Sequence, residues 1–567
     1  MQTTDDGVLE ATVQAVNQHG SQASAAEALG LAQSTVSKRI STAKARGLYV
    51  ERGGSIQALE SRKEALPGKG KRRVYYLTSA QDHTKLNREA WVNLLALVAE
   101  DDATLMVSCF KYNKGAMGQR AAAKSDADDP HHKSGRKTAR YATRQEELEA
   151  EYPHEIIEYV CDDRVDVAPN ISFCGELNVL PTAVNPLEGL ENYTFRKSTV
   201  VPHPKIAMES IPTMRTEGVK LMFTTGCVTQ RNYIKRKVGY KAEHFHAYGA
   251  LLVEVDASGS WWCRHVVQGP DGAMHDLNRR AIGGKVEYQG DAGGFVSDIC
   301  WGDVHATKLD EAVADVSFGH REDSMLEVLR PRTQHVHDLL DFWGRSHHTR
   351  RDPWEVFRSQ WEGQWELTQE LATTADVLWN KIARPWCETY VVNSNHDRHL
   401  DRFLKEVDWR SDPTNAKMIL ALNLQKLQSI ERGDDLNLTQ VACEYGYGKV
   451  ASERKTGVEE SVHFLAEDES HIILPKIDGG IECGLHGDRG SNGAKGNLTT
   501  FAKVDRKMNT ADKHSAGIQN HAYQCGLTGL LDMGYNHGLS SWTHAHIVTY
   551  SNGTRAIVSI WKSKWRA

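Results

Sequence analysis

The sequence has no apolar run long enough to cross a bilayer, and its opening residues, Met1-Gln-Thr-Thr-Asp-Asp6, lack the basic and apolar blocks of a secretory leader. Both absences point to a cytoplasmic protein with no membrane partner. Cysteine occurs ten times but never as Cys-x-x-Cys, which excludes a thiolate zinc site and a disulfide framework and leaves reduced core thiols. Net positive charge is missing as well. Lys and Arg number 68 against 74 Asp and Glu, a formal charge of -6, so a uniformly basic coat for nucleic acid is excluded and any contact with DNA must be local.

What is present is ordinary globular material, 40% hydrophobic and 25% charged. At 567 residues the chain is long enough for about three to four domains. Its 26 histidines are the informative excess, because many lie in the C-terminal half beside carboxylates, where imidazole serves as metal ligand or proton donor.

Residues 1–48 read as a small helical domain. Val8 to Val16 has the apolar period of a first helix, Ala23 to Leu29 gives a second, Gly30 a tight turn, and Gln33-Ser-Thr-Val-Ser-Lys-Arg-Ile40 opens a third. This resembles the DNA-binding helix-turn-helix domains. The resemblance implies that Gln33, Ser34, Thr35, Ser37, Lys38 and Arg39 face DNA while Val36 and Ile40 pack inward. A basic linker is expected over 49–73, followed by an α/β domain over 74–289 with a mobile loop near 113–150. Within it, Arg231-Asn-Tyr-Ile-Lys-Arg-Lys-Val-Gly-Tyr-Lys241 interleaves cations and tyrosines, a pattern that suits either a solvated face or a phosphate backbone.

From 290 onward, apolar strands repeatedly discharge into metal-ligand residues. Phe295 to Cys300 leads to Asp303-Val-His305, Gln334-His-Val-His-Asp-Leu-Leu-Asp341 offers Asp338 as a bridging carboxylate, Val391-Val-Asn-Ser-Asn-His-Asp397 offers Asn395, and Ile481 to Leu485 leads to His486. Ligands at several strand ends are what an open α/β crevice requires. Two candidates complete the set, Asp512-Lys-His514 and Thr543-His-Ala-His546. The first is favoured, because little chain follows His546, and His544 and His546 then become strand residues near the surface or an interface. Between these motifs, Trp354, Phe357, Trp361 and Trp365 share a helical spacing and are expected in the core of one long helix.

The ordered set Asp303-x-His305, Asp338, Asn395-His396-Asp397 and His486 resembles the calcineurin-like metallophosphoesterases over about residues 290–567, especially the SbcD-type and tailed-phage nuclease branch. The resemblance implies a four-layered α/β/β/α sandwich. It also implies two divalent ions, Mn²⁺ or else Mg²⁺, held by Asp303, His305, Asp338, Asn395, His486, Asp512 and His514. His396 would protonate the leaving oxygen, oriented by Asp397. The sequence departs from the family where Asp512 stands in place of a histidine. A nuclease acting on DNA is the expected function, in the host cytoplasm if the chain is phage-encoded. A phosphomonoesterase or small-molecule phosphodiesterase, and a DNA-binding regulator with a degenerate site, are the alternatives; homo-oligomerisation is left open.

Overall fold

The computed structural model describes residues 5–19, 22–45, 61–112, 143–290, 294–434, 436–450 and 458–567. They belong to two compact units, Met1–Ser61 and Arg62–Ala567. In the first, helices Asp6–His19, Gln22–Ala28 and Gln33–Ala45 follow the apolar spacing. Ala15, Val16, Ala25, Ala26, Val36 and Ile40 form its core. Gly30 makes the turn at φ +63°, a conformation that costs a side-chain-bearing residue energy. Gln33, Ser34, Ser37 and Lys38 are exposed, with Thr35 and Arg39 half-buried.

The second unit is mixed α/β. A six-stranded sheet runs in the order Val462–Phe464, Glu388–Val391, Thr333–Val336, Val296–Cys300, Ala545–Tyr550, Arg555–Ser559. Its first four strands are parallel and the last two antiparallel. The central strand Val296–Cys300 is buried from end to end, and its neighbour Thr333–Val336 at all but Thr333, yet both carry polar residues, which are paired within the sheet. Gln334 accepts from Trp301 Nε1 at 2.8 Å and donates to Thr389 Oγ1 at 2.9 Å, and Asp298 accepts from His335 Nδ1 at 2.8 Å. A four-stranded sheet runs in the order Trp261–Val267, Gly249–Asp256, Arg72–Gln81, Thr104–Phe110. Its Trp261–Val267 strand lies beside Arg555–Ser559 of the six-stranded sheet. An eleven-stranded sheet draws strands from both Arg62–Thr224 and Ile472–Gln524, joined where Ile518 pairs with Met208.

These sheets share one core. Tyr75, Leu77, Phe173, Phe223, Cys300, Ile518, Ile547 and Ile557 are all buried in it, so the division expected at 289/290 does not separate two compact bodies. The strands that fill that core come from both sides of the division, and no boundary can pass through paired strands. The linker expected over 49–73 lies partly outside the described residues. Arg62–Lys63 is a strand and Arg72 opens another, where its guanidinium pairs with Asp101 and Glu254. Of the loop expected near 113–150, residues 113–142 lie outside the described residues, whereas Arg144–Glu151 is a helix capped by Thr143.

The aromatic helix departs from expectation. It spans only Pro353–Trp361 and buries no residue. Trp354, Phe357 and Trp361 are 80%, 63% and 81% exposed, because Gly363 at φ +70° ends the helix before Trp365 can join its face. Trp365 is half-buried instead, donating Nε1–H to Asp412 at 3.2 Å. All ten cysteines are free. Among the described residues no helix is long and apolar enough to cross a membrane.

Candidate metal centre

Five strands end around one point. Val296–Cys300, Thr333–Val336 and Glu388–Val391 of the six-stranded sheet present Asp303 and His305, Asp338 and Asp341, and Asn395 and His396 beyond their carboxyl ends. From the eleven-stranded sheet, Ile481–Glu482 and Lys507–Thr510 present His486, and Asp512 with His514. The loops are pinned by backbone bonds. His305 N donates to Asp338 O at 2.7 Å, Asp303 N to Gly526 O at 3.2 Å, and Ala511 N to His486 O at 2.6 Å. Gly302 permits this approach, since a Cβ there would lie 2.7 Å from Leu527 N. His305, Asp338, Asp512 and His514 all have positive φ, at 47°, 46°, 72° and 56°. Non-glycine residues hold that conformation only when the surroundings over-determine it, and such residues cluster at functional sites.

The side chains converge. One ligand atom from each of Asp303, His305, Asp338 and His514 falls within 4.8 Å of all the others, and all four residues are buried. His514 Nε2 is 3.1 Å from Asp303 Oδ2 and 3.2 Å from His305 Nε2. On the other side of Asp338, His486 Nε2 is 3.3 Å from Asp338 Oδ2, 2.8 Å from Asn395 Oδ1 and 3.7 Å from Asp512 Oδ1. Asp338 thus lies between a His305/His514 side and a His486/Asn395 side.

The charges of the cluster suit a cation. Asp303, Asp338 and Asp341 are at most 2% exposed, and among the described residues none pairs with Lys or Arg. Burial alone would raise the Asp338 carboxyl, but His486 and His396 outweigh it and hold it well below the usual carboxylate range. Reciprocally, burial would lower both imidazoles. The surrounding carboxylates, Asp338 foremost, instead raise His396 to about 9 and His486 to about 10. Imidazolium protons therefore balance charge that a cation could balance instead. Asp303 Oδ1 is buried with no hydrogen-bond partner, as a ligand oxygen facing a cation would be. Oxygen and imidazole donors with no thiolate fit a hard or borderline divalent ion.

No family model matches this chain, and no solved structure does. It is 34% identical over 507 residues to protein A1 of Escherichia phage T5, a match that covers 88% of this chain and 83% of that one. The chain belongs to the protein A1 family. A phage protein is thus among its relatives.

In this A1-family chain Asp512 and His514 lie with the other candidate ligands, whereas His544 and His546 do not. His546 is not near a surface, as the sequence suggested, but fully buried. Its Nδ1 accepts from Gly302 N at 3.0 Å and its Nε2 is 2.8 Å from Ser317 Oγ. The physical reason is its place on a strand whose residues are all buried. His544 Nε2 donates to Gly529 O at 3.0 Å. Asp397 also departs from expectation. It stands at the start of the helix Asp397–Glu406, where Oδ2 accepts from Ser394 N at 2.9 Å, and so it faces its own loop. Asp341 holds His396 instead, accepting from its Nδ1 through the backbone carbonyl at 2.7 Å. The signal was available in the spacing Asp338-Leu-Leu-Asp341, which sets two carboxylates beyond one strand end.

Proposed function

We propose that this chain is a divalent-metal-dependent phosphodiesterase that cleaves DNA, on a metallophosphoesterase sandwich of α/β/β/α layering. The convergence of Asp303, His305, Asp338, Asn395, His486, Asp512 and His514 from five strand ends carries this reading. One ion fits Asp303, His305, Asp338 and His514, and a second fits Asp338, Asn395, His486 and Asp512; Mn²⁺ suits this oxygen-and-imidazole set, with Mg²⁺ the alternative. Bound ions supply Lewis-acid activation of water and neutralise charge developing on phosphorus.

The protein's own groups complete the chemistry. His396 donates Nδ1–H to Asp341 O at 2.7 Å, which orients the ring and leaves Nε2 to deliver a proton to the leaving oxygen. Beside the centre, a cavity of about 780 Å³ reaches Asp341 and Thr307, with Lys308, Arg358, Trp343 and Tyr535 in its walls. Cations suit the flanking phosphates of a strand, and rings suit its bases. The exposed Gln33 to Lys38 face of the N-terminal unit supports DNA as the substrate, since short polar side chains and a lysine on a third helix suit base edges and phosphates.

The test is incubation of the full chain with Mn²⁺ and linear, circular or single-stranded DNA, alongside a chromogenic phosphomonoester. Metal-dependent release of nucleotides or shortened strands is expected. Cleavage undiminished by chelator would overturn the mechanism, and turnover of the monoester without DNA cleavage would move the activity to phosphomonoesterases.

A further inference from the structure

Far from the metal centre lies a second, differently charged pocket. The strand Lys507–Thr510 has Asp512 beyond its carboxyl end, while Lys507 at its start lines a cavity of about 250 Å³. At about 3.3 Å per residue, the two places are about 16 Å apart along the chain, at opposite ends of the sheet. Lys205, Arg231 and Arg555 line the same cavity, and among the described residues no carboxylate does.

The cations there are poorly compensated. Lys205, 7% exposed, donates to Val184 O at 2.6 Å. Arg555, 6% exposed, donates to Met508 O, Asn509 Oδ1 and His521 O at 2.8 to 2.9 Å. Arg231 reaches His246 O at 3.5 Å and lies over the Tyr248 ring, 5.4 Å from its centroid. All these acceptors are neutral, so among the described residues none of the three cations has a carboxylate partner. Lys507 alone is paired, with an outward Asp478 at 3.0 Å. Burying cations without a counter-charge is unfavourable, and a bound anion would offset it. The local potential agrees with that count. Burial, then the neighbouring Lys241, lowers Lys205 to about 8, and burial, then His244, Arg555 and Lys507, lowers His521 to about 4.

Two features narrow the ligand. Aromatic walls, Phe245 and Tyr248, flank the cations, and Asn520 Oδ1 is a buried acceptor with no donor among the described residues. A bare phosphate would satisfy neither. The volume lies just below the roughly 300–1,000 Å³ of drug-sized sites, so a fragment about the size of a mononucleotide fits and a duplex does not. We infer that this pocket binds the phosphate of a single nucleotide, at a site separate from the metal centre. The segment Arg231 to Lys241, whose cations the sequence left between a solvated face and a phosphate contact, supplies Arg231 to the pocket and Lys241 beside it. The inference stands independently of the chemistry proposed for the metal centre.

The experiment is calorimetric titration of the full chain, in chelator, with dAMP, inorganic phosphate and deoxyadenosine. Binding of dAMP, weaker binding of phosphate and none of deoxyadenosine are expected. Arg231→Gln, on an exposed residue, and Arg555→Gln should each weaken dAMP at least tenfold, while Asp303→Asn leaves it unchanged. Comparing a trinucleotide with and without a 5′-phosphate then distinguishes two sources. Tight binding of the phosphorylated form assigns the pocket to strand ends, and its exclusion assigns it to free nucleotides. No dAMP binding, binding equal to deoxyadenosine, binding indifferent to Arg231→Gln, or binding lost in Asp303→Asn would each overturn the proposal.

Discussion

Asp341 ties His396 to His305. Its backbone carbonyl accepts from His396 Nδ1 at 2.7 Å, its carboxylate lies 3.4 Å from the same nitrogen, and that carboxylate accepts from His305 Nδ1 at 3.0 Å. One residue thus fixes the ring of a proposed ligand and the ring of the proposed acid. Groups that orient ligands in this way typically contribute about 10- to 100-fold in affinity or activity. Asp341→Ala should therefore lower kcat by about that factor with little change in KM, and Asp341→Asn, which can still accept from His305, should recover part of it. Steady-state kinetics with metal content measured in parallel checks this. Full activity in Asp341→Ala, which keeps the backbone carbonyl that accepts from His396 Nδ1, would remove the Asp341 carboxylate from the scheme and leave that carbonyl as the group that positions His396.

Two buried histidines outside the candidate metal ligands, His203 and His265, predict acid sensitivity. His203 accepts from Lys205 N at 3.0 Å through Nδ1 and donates from Nε2 to Leu180 O at 3.1 Å, so a second ring proton has no place to go. His265 is likewise buried, with Nε2 donating to Thr224 O at 2.7 Å. Burial lowers both to about 4. Because the unfolded chain takes up protons at about 6.5 and the folded chain only near 4, stability rises with pH across that window and is lost as pH falls through it. The slope is up to about 1.4 kcal/mol per pH unit for each group. Urea midpoints of metal-free protein between pH 7.5 and 4.5 should fall, and His265→Gln should flatten the fall. An unchanged slope in that variant would mean that His265 titrates normally.

The exposed aromatic helix makes the opposite demand. Trp354, Phe357 and Trp361 are mostly exposed among the described residues, so Trp361→Ala and Phe357→Ala should each shift stability by no more than about 0.5 kcal/mol. Thermal unfolding decides the matter. A loss of about 3 kcal/mol or more, as for a core aromatic, would place the helix against the body of the protein.

That helix also marks how far the sequence could be read. Spacing shows which residues share a helical face, but what covers the face is set by elements distant in sequence, and here none of the described residues buries it. The same limit hid the role of Asp341, whose partner His396 arrives on a separate strand, and the shared core, which depends on Met208 meeting Ile518. Where the information was local, the residues alone sufficed. Helix Arg88–Glu100 shows its apolar face and its Asn87 cap in the sequence. Val36 and Ile40 declare themselves inward by period. Asp303, His305, Asn395 and His486 each come within a few residues of an apolar run, and Asp338 two residues after the strand Thr333–Val336, so the strand that ends before them positions them.

Asp512 stands where the family resemblance calls for a histidine, and its geometry makes a discriminating prediction. Its carboxylate lies 3.7 Å from His486 Nε2, and its backbone N–H donates to Asp303 Oδ2 at 3.0 Å. The rival His546 spends both ring nitrogens on Gly302 and Ser317. Asp512→Ala should therefore lower metal content and impair cleavage, and Asp512→His should retain activity with an altered metal preference, since imidazole can ligate where the carboxylate did. His546→Ala should keep its metal but lose about 1–3 kcal/mol of stability, because the Gly302 N–H is left buried and unpaired. His544→Ala should bind metal as the unaltered chain does. Metal analysis and thermal unfolding of the four variants separate the two assignments. Metal lost from His544→Ala or His546→Ala while Asp512→Ala stays loaded would move the site to Thr543-His-Ala-His546, which the positions of those side chains oppose.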